Sequence, residues 1–270
     1  MGICLKLGSF LAVSMVFLLG CGKHETAAPA NPSQDTGASS GVPGMPTTFW
    51  GLYDHFAISS FDKQLGLVAR HAPEQGWKYT KSLGQIVFVE DSASYAVQVL
   101  GIEDHIKHVW RWGWADPISN FPKESLAAAE SLRQYGRKHK IPELTKGELP
   151  TLDVKGEWVA ILASGFCQAQ AYYPAGFPGQ GIVYFLVMDD RLKLGQDCTL
   201  QHASTVVPRA LEGCNIRDER AAIGAYFRQC GYTVEAKDGG LSIGQGSSQL
   251  NASFDRMKRL VGLEGTIPGK

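Results

Sequence analysis

Residues 77–114 read WKYTKSLGQIVFVEDSASYAVQVLGIEDHIKHVWRWGW. Trp77–Tyr79, Gln85–Val89, Tyr95–Leu100 and Val109–Trp114 are short, rich in β-branched and aromatic residues, and separated by turn residues. That pattern predicts an antiparallel meander. The last of these segments places Trp110, Trp112 and Trp114 at alternate positions of one strand, so all three indoles should point to one face. Such a ladder could stack on a sugar ring or a peptide. Large apolar groups on one strand face are also what a helix packs against, and this core reading is favoured.

Helical periodicity flanks the meander. Residues 54–71 carry Ala57, Phe61, Leu65 and Val68 at helical spacing, with Asp54 as a candidate cap and Pro73 closing the pattern. Pro122 opens a second helix to about residue 139, with basic residues in its last turn. A third is expected over about 153–168. A fourth starts at Asn215 and Asp218, shares a face of Ile223, Tyr226, Phe227 and Cys230, and ends at Gly231. Ala169–Tyr173 and Ile182–Met188 read as a hairpin. Three or four strands with turns at residues 237–240 and 255–256 fill the tail from Tyr232. Strand clusters interspersed with single helices predict an α+β fold of antiparallel meanders packed on about four helices, in one globular unit of one or two lobes.

Twenty-six basic and 26 acidic residues balance in the 270-residue chain, so no bulk field would hold a polyanion, and a nucleic-acid partner is not expected. No G-x-G-x-x-G runs from a strand into a helix, and Ala163-Ser164-Gly165 lacks a nucleophile-elbow frame. Asp189-Asp190 and Asp218-Glu219 are adjacent carboxylates, better explained by strand alternation and helix N-terminal charge than by acid–base catalysis. His105 and His108 flank a hairpin tip without metal-motif spacing, so no metal is expected, nor any other cofactor.

Leu7–Leu19 is an apolar run too short to span a bilayer, preceded by Lys6 and closed by Leu18-Leu19-Gly20-Cys21. This resembles a bacterial lipoprotein signal, whose box directs lipid to the cysteine sulfur and cleavage just before it. The resemblance implies residues 1–20 as signal peptide and Cys21 as the lipidated first residue of the mature chain. Lys23, with no Asp after Cys21, implies the outer membrane facing the periplasm rather than the inner, in a host with two membranes. Residues 21–48 then form a lipidated N-terminus and flexible tether: nineteen of the twenty-seven residues 22–48 are Pro, Gly, Ser, Thr or Ala. The α+β domain occupies 49–270.

Four cysteines remain, and export permits two disulfides. Cys198 with Cys214 is the expected pair, because both lie in loop-like sequence. Cys167 and Cys230 sit on apolar helical faces that suit buried thiols.

Several blocks carry a second resemblance. Gln98-Val99-Leu100-Gly101, Trp110-Arg111-Trp112-Gly113-Trp114-Ala115-Asp116-Pro117, Tyr135-Gly136-Arg137-Lys138-His139-Lys140-Ile141-Pro142-Glu143-Leu144-Thr145 and Ala171-Tyr172-Tyr173 occur in order. They are similar to an uncharacterised bacterial family, a domain of unknown function marked by Q-x-L-G, W-x-W-x-W-A-N-P, Y-G-x-x-H-x-I-P-E-L-T and A-Y-Y. Asp116 departs from the family's Asn. The resemblance runs from about Tyr53 to Leu263 and implies no activity.

The expected role is therefore a lipid-anchored envelope protein whose domain binds an envelope protein or small ligand without catalysis. An envelope hydrolase acting near Trp112, Asp116, His139 and Tyr172 is the alternative. An immunity-type or antagonist protein is the third reading. His139 is also explained by its helix C-terminus, where a histidine favours the dipole.

Overall fold

Thr48 opens the first helix, its side chain accepting the Gly51 N–H at 3.0 Å. Helix α1 (Phe49–Arg70) starts five residues before the expected Asp54 cap, because Phe49, Leu52, Tyr53 and Phe56 all find burial. Asp54 lies inside the helix, 5% exposed. The computed structural model describes residues 44–71, 76–117, 120–177, 179–195, 197–246 and 248–266. The expected signal peptide, Cys21 and the expected tether to residue 43 lie outside the described residues, as does Pro73.

The predicted meander is present as β1 (Trp77–Thr80), β2 (Gln85–Phe88), β3 (Ser94–Asp104) and β4 (Val109–Trp112). β5 (Glu148–Pro150), too short to announce itself in sequence, adds to β4. The expected hairpin β6 (Ala171–Phe177) and β7 (Gly181–Val187) joins through β7, which pairs antiparallel with β3. The long β3 organises this seven-stranded sheet, pairing with β2 near Ser94–Ala96 and with both β4 and β7 near Gly101–Asp104. Gly101 is required there: a Cβ would collide with the Arg111 carbonyl and the Trp110 ring.

Helices α2 (Ala127–His139) and α3 (Gly156–Phe166) belong with this sheet, and α4 (Leu200–Gly213) and α5 (Glu219–Gln229) with a second one. That sheet is a four-stranded antiparallel meander of β8 (Thr233–Lys237), β9 (Gly240–Gln245), β10 (Ser248–Phe254) and β11 (Leu260–Thr266). The architecture is α+β. From Pro46 onward the chain forms one compact unit, with α1 packed against α3, α4 and α5. Among the described residues no helix is long and apolar enough to cross a membrane.

Three expectations need correction. Among the described residues the α-helices number five: α4 is hidden in sequence by Pro208, which denies the helix a backbone donor, although Leu200, Ala203, Val206, Val207 and Ala210 bury one face. The tryptophan strand ends at Trp112, and Gly113–Ala115 turn into a 3-10 helix where a Cβ on Gly113 would collide with the Leu126 side chain. The disulfide joins Cys198 to Cys230, with Cα atoms 5.3 Å apart, and leaves Cys214 free. Cys214 caps the C-terminal end of α4, whereas Cys198 precedes its first turn and lies beside the end of α5. A helix of fourteen residues between Cys198 and Cys214 spans roughly 20 Å, which no disulfide bridges.

Candidate functional site

The blocks singled out in sequence resolve into packing devices. Trp110 and Trp112 are fully buried. Their rings meet edge to face at 5.5 Å, and Trp110 also meets Tyr184. The Trp112 indole N–H donates to the Glu143 carbonyl at 3.0 Å, tying β4 to the turn after α2. Trp114 lies near-parallel to Trp112, with the Arg133 guanidinium 3.9 Å from its ring centroid. With these faces occupied by protein groups, the indoles offer no stacking platform.

Gln98 binds α2, donating to the Glu124 carbonyl and accepting the Ala128 N–H. Lys140 takes a left-handed conformation after α2, and the Ile141 N–H returns to the Gly136 carbonyl. Arg111 donates twice to Glu148 and lies 3.6 Å from Asp116.

The three polar candidates have different neighbours. Asp116 faces Arg111. His139, the last residue of α2, lies against the Tyr135 ring at 4.2 Å. Tyr172 is buried in the core with Tyr53 and Tyr184, and burial, with Glu157 next in effect, raises its hydroxyl well above the ordinary tyrosine range. A base must reach its partner directly or through one water, and no hydrogen bond or ion pair among the described residues links His139 to another side chain.

Burial likewise raises the Cys167 and Cys214 thiols to about 12, leaving neither as a thiolate at neutral pH. Asp189 is held at about 2 by its bidentate bonds from Arg191, Asp218 caps α5 by accepting the Ala221 N–H, and Glu219 accepts the Leu260 N–H. Both carboxylate pairs are thus structural.

A different constellation forms between the second half of α1 and α4. Asp62, 5% exposed, accepts from His202 Nε2 at 2.8 Å and from the Tyr226 hydroxyl at 3.3 Å. His202 thus points Nε2 at Asp62 and Nδ1 toward Asp197. Nδ1 lies 3.8 Å from the exposed carboxylate of Asp197. Asp197 accepts the Thr199 N–H, which lowers its carboxyl, and Thr199 caps α4 by accepting the His202 N–H.

Asp62, Asp197 and His202 line an open cavity of about 600 Å³. Leu65, Val68, Ala69 and Val206 make its apolar wall, and Asp197, His202, Thr205 and Arg209 its polar one. Arg209 is exposed and has no ion-pair partner among the described residues. The rim is covalently fixed: Cys198, next to Asp197, is bridged to Cys230, and the Tyr232 hydroxyl donates to the Cys198 carbonyl at 2.8 Å.

Sequence reasoning misses this site because its parts lie 140 residues apart and no helix is expected over residues 200–213. The available signal was Leu200–Ala210 at helical spacing, which puts His202, Thr205 and Arg209 along the same side. Among the described residues no group of three or more His, Cys, Asp or Glu side chains could hold a metal.

No curated protein and no solved structure matches the chain. A model of a family of unknown function, DUF6882, matches residues 51–190, which is α1 through β7. The match contains the four sequence blocks and the α1 half of the cavity, and stops before α4. The chain belongs to this family of unknown function, DUF6882.

Proposed function

We propose that the protein is a lipid-anchored envelope module that binds a small zwitterionic ligand with an apolar body, of amino-acid or short-peptide type, in the α1–α4 cavity. The carrying observation is the buried Asp62, which fixes the His202 ring so that Nδ1 faces a cavity bearing Asp197 and Arg209. Asp197 accepts hydrogen bonds and suits an ammonium or hydroxyl group, with His202 Nδ1 beside it. Arg209 suits a carboxylate, and Leu65, Val68 and Val206 suit the apolar body. The lipid anchor is supported by the Leu18-Leu19-Gly20-Cys21 box and the tether after it. Several acyl chains hold a protein stably where one does not. The site, facing the periplasm, would sense or carry its ligand without transforming it.

Calorimetric titration of the full chain with aliphatic dipeptides, alanyl-leucine first, tests the binding. Saturable binding weakened about tenfold or more by Arg209→Ala and by Asp197→Asn is expected. Absence of saturable binding with any dipeptide, or binding indifferent to both substitutions, overturns it. Mass spectrometry of the N-terminal peptide from membranes tests the anchor: diacylglyceryl mass on Cys21 is expected, and an unmodified Cys21 contradicts it.

A further inference from the structure

The four-stranded sheet has two unlike faces. Leu241, Ile243, Leu250 and Ala252 share a core with the buried residues of α4 and α5. On the other face the register lays Thr233, Gly244 and Gln249 in one row across β8, β9 and β10, and Glu235, Ser242 and Asn251 in another. Thr233, Glu235, Ser242, Gly244 and Gln249 line an open depression of about 460 Å³, bounded at one end by the β9–β10 turn. Its lining holds hydroxyls, amides and one carboxylate, with neither a cationic nor an apolar residue.

A solvated sheet face explains those polar residues, but not Gly244. A glycine inside a strand weakens it, and is found where φ is positive, where a bulge forms, or where another group approaches the backbone closely. Gly244 has no positive φ, and both of its pairings run through it without a register shift. Outside its chain neighbours, the nearest atom to an added Cβ is the Ser248 carbonyl oxygen at 3.8 Å. The protein itself leaves that space open, so the use of the glycine is close approach by a group from outside the chain.

The groups around this space have spare hydrogen-bonding capacity. Ser242, 8% exposed, is joined to Gln249 at 3.1 Å, and a hydroxyl and a carboxamide carry more donors and acceptors than that one bond uses. Among the described residues, Glu235 has neither a hydrogen bond nor an ion pair through its side chain. The carboxylate disfavours an anion, the polar lining disfavours an apolar ligand, and one carboxylate is too few ligands for a metal ion. Hydroxyl groups, which both donate and accept, match the set.

We infer that this depression is a second binding site, for a neutral polyhydroxylated ligand of pyranose sugar type, with Gly244 admitting the ring to the sheet. Glu235 and Gln249 accept from the ligand hydroxyls, and Ser242 and Thr233 complete the set from the floor and the β8 side. The site shares no lining residue with the α1–α4 cavity and does not depend on the reading given for that cavity. With no aromatic ring to stack on, binding is weak, in the millimolar range.

The test is an amide NMR titration of the full chain with glucose, galactose and N-acetylglucosamine as free sugars, and with the β-1,4-linked tetramer of N-acetylglucosamine as a glycan chain. Saturable shifts of the amides of residues 233–235 and 242–246 are expected with at least one of the four. Tighter binding of the tetramer identifies a glycan chain as the source, and tighter binding of a monosaccharide a free sugar. Glu235→Ala with Gln249→Ala, both exposed, should weaken binding about tenfold or more, and Gly244→Val should abolish it. Gly244→Ala should raise the urea midpoint of the free protein, because its Cβ meets open space and the unfolded chain loses freedom. Absence of saturable shifts at these amides with all four probes overturns the proposal. So do shifts that survive the double substitution, or a urea midpoint lowered by Gly244→Ala, which would make the glycine a requirement of the fold.

Discussion

Asp54 and Asp62 stand eight residues apart on one helix, each 5% exposed, yet their neighbours give them unlike roles. Asp54 accepts the backbone N–H groups of Arg217 and Asp218, fixing the approach to α5. Its donors cannot titrate or move independently, so the carboxylate is a staple. Asp62 accepts from the imidazole of His202 and the hydroxyl of Tyr226, and the imidazole opens on a cavity. Burial alone therefore does not separate structure from function. What separates them is whether the partner group can still offer an atom to something outside the protein.

The largest effect should come from the scaffold side. Trp112→Ala removes a fully buried indole and its bond to Glu143, and should cost about 3–5 kcal/mol, read by urea denaturation. A cost under about 1 kcal/mol would break the claim that the tryptophans are core. Next, Cys230→Ser opens a bridge between residues 32 apart and should cost about 2–4 kcal/mol in the oxidised protein. Non-reducing peptide mapping should recover Cys198 joined to Cys230; recovery of Cys198 with Cys214 would move the cavity rim and break the account of Asp197.

Asp54 supplies a pH test. Burial raises its carboxyl to about 6, against the two backbone bonds that lower it. Between the unfolded value and about 6 the native state holds the extra proton, so stability falls as pH rises through that window and stays lower above it. Asp54→Asn should remove roughly 2–3 kcal/mol of this fall, seen as the variant-minus-parent difference in unfolding free energy between about pH 3.5 and 7. A pH-independent difference would mean that Asp54 is not the buried acid the geometry makes it. The smallest stability effect belongs to Arg209→Ala, within about 0.5 kcal/mol because the side chain is exposed. Its effect should appear in ligand binding.

The sequence was most readable where signals are local. The strands of the Trp77–Trp112 meander, the β6–β7 hairpin and the helix behind Asp218 follow from alternation, turn residues and a cap. Helix α4 carries its apolar spacing from Leu200 to Ala210, but Pro208 and the flanking cysteines resemble loop chemistry, and the burial that forms the helix comes from α1 and the second sheet. The family blocks misdirect for a related reason. Gln98, Gly101, Trp112 and Gly136 are demanding positions because backbone approaches closely or an indole needs an acceptor there, and such demands come from packing. The cavity joins α1 residues of the family-matched segment, Asp62 among them, to residues beyond it, and no spacing within 140 residues could reveal the Asp62–His202 contact.

The most direct measurement is ¹⁵N NMR of the imidazole of His202, assigned by His202→Gln, during titration of the full chain with alanyl-leucine. The account predicts that the Nδ1 resonance shifts saturably as the dipeptide binds. An Nδ1 resonance unmoved by every dipeptide tried would contradict it.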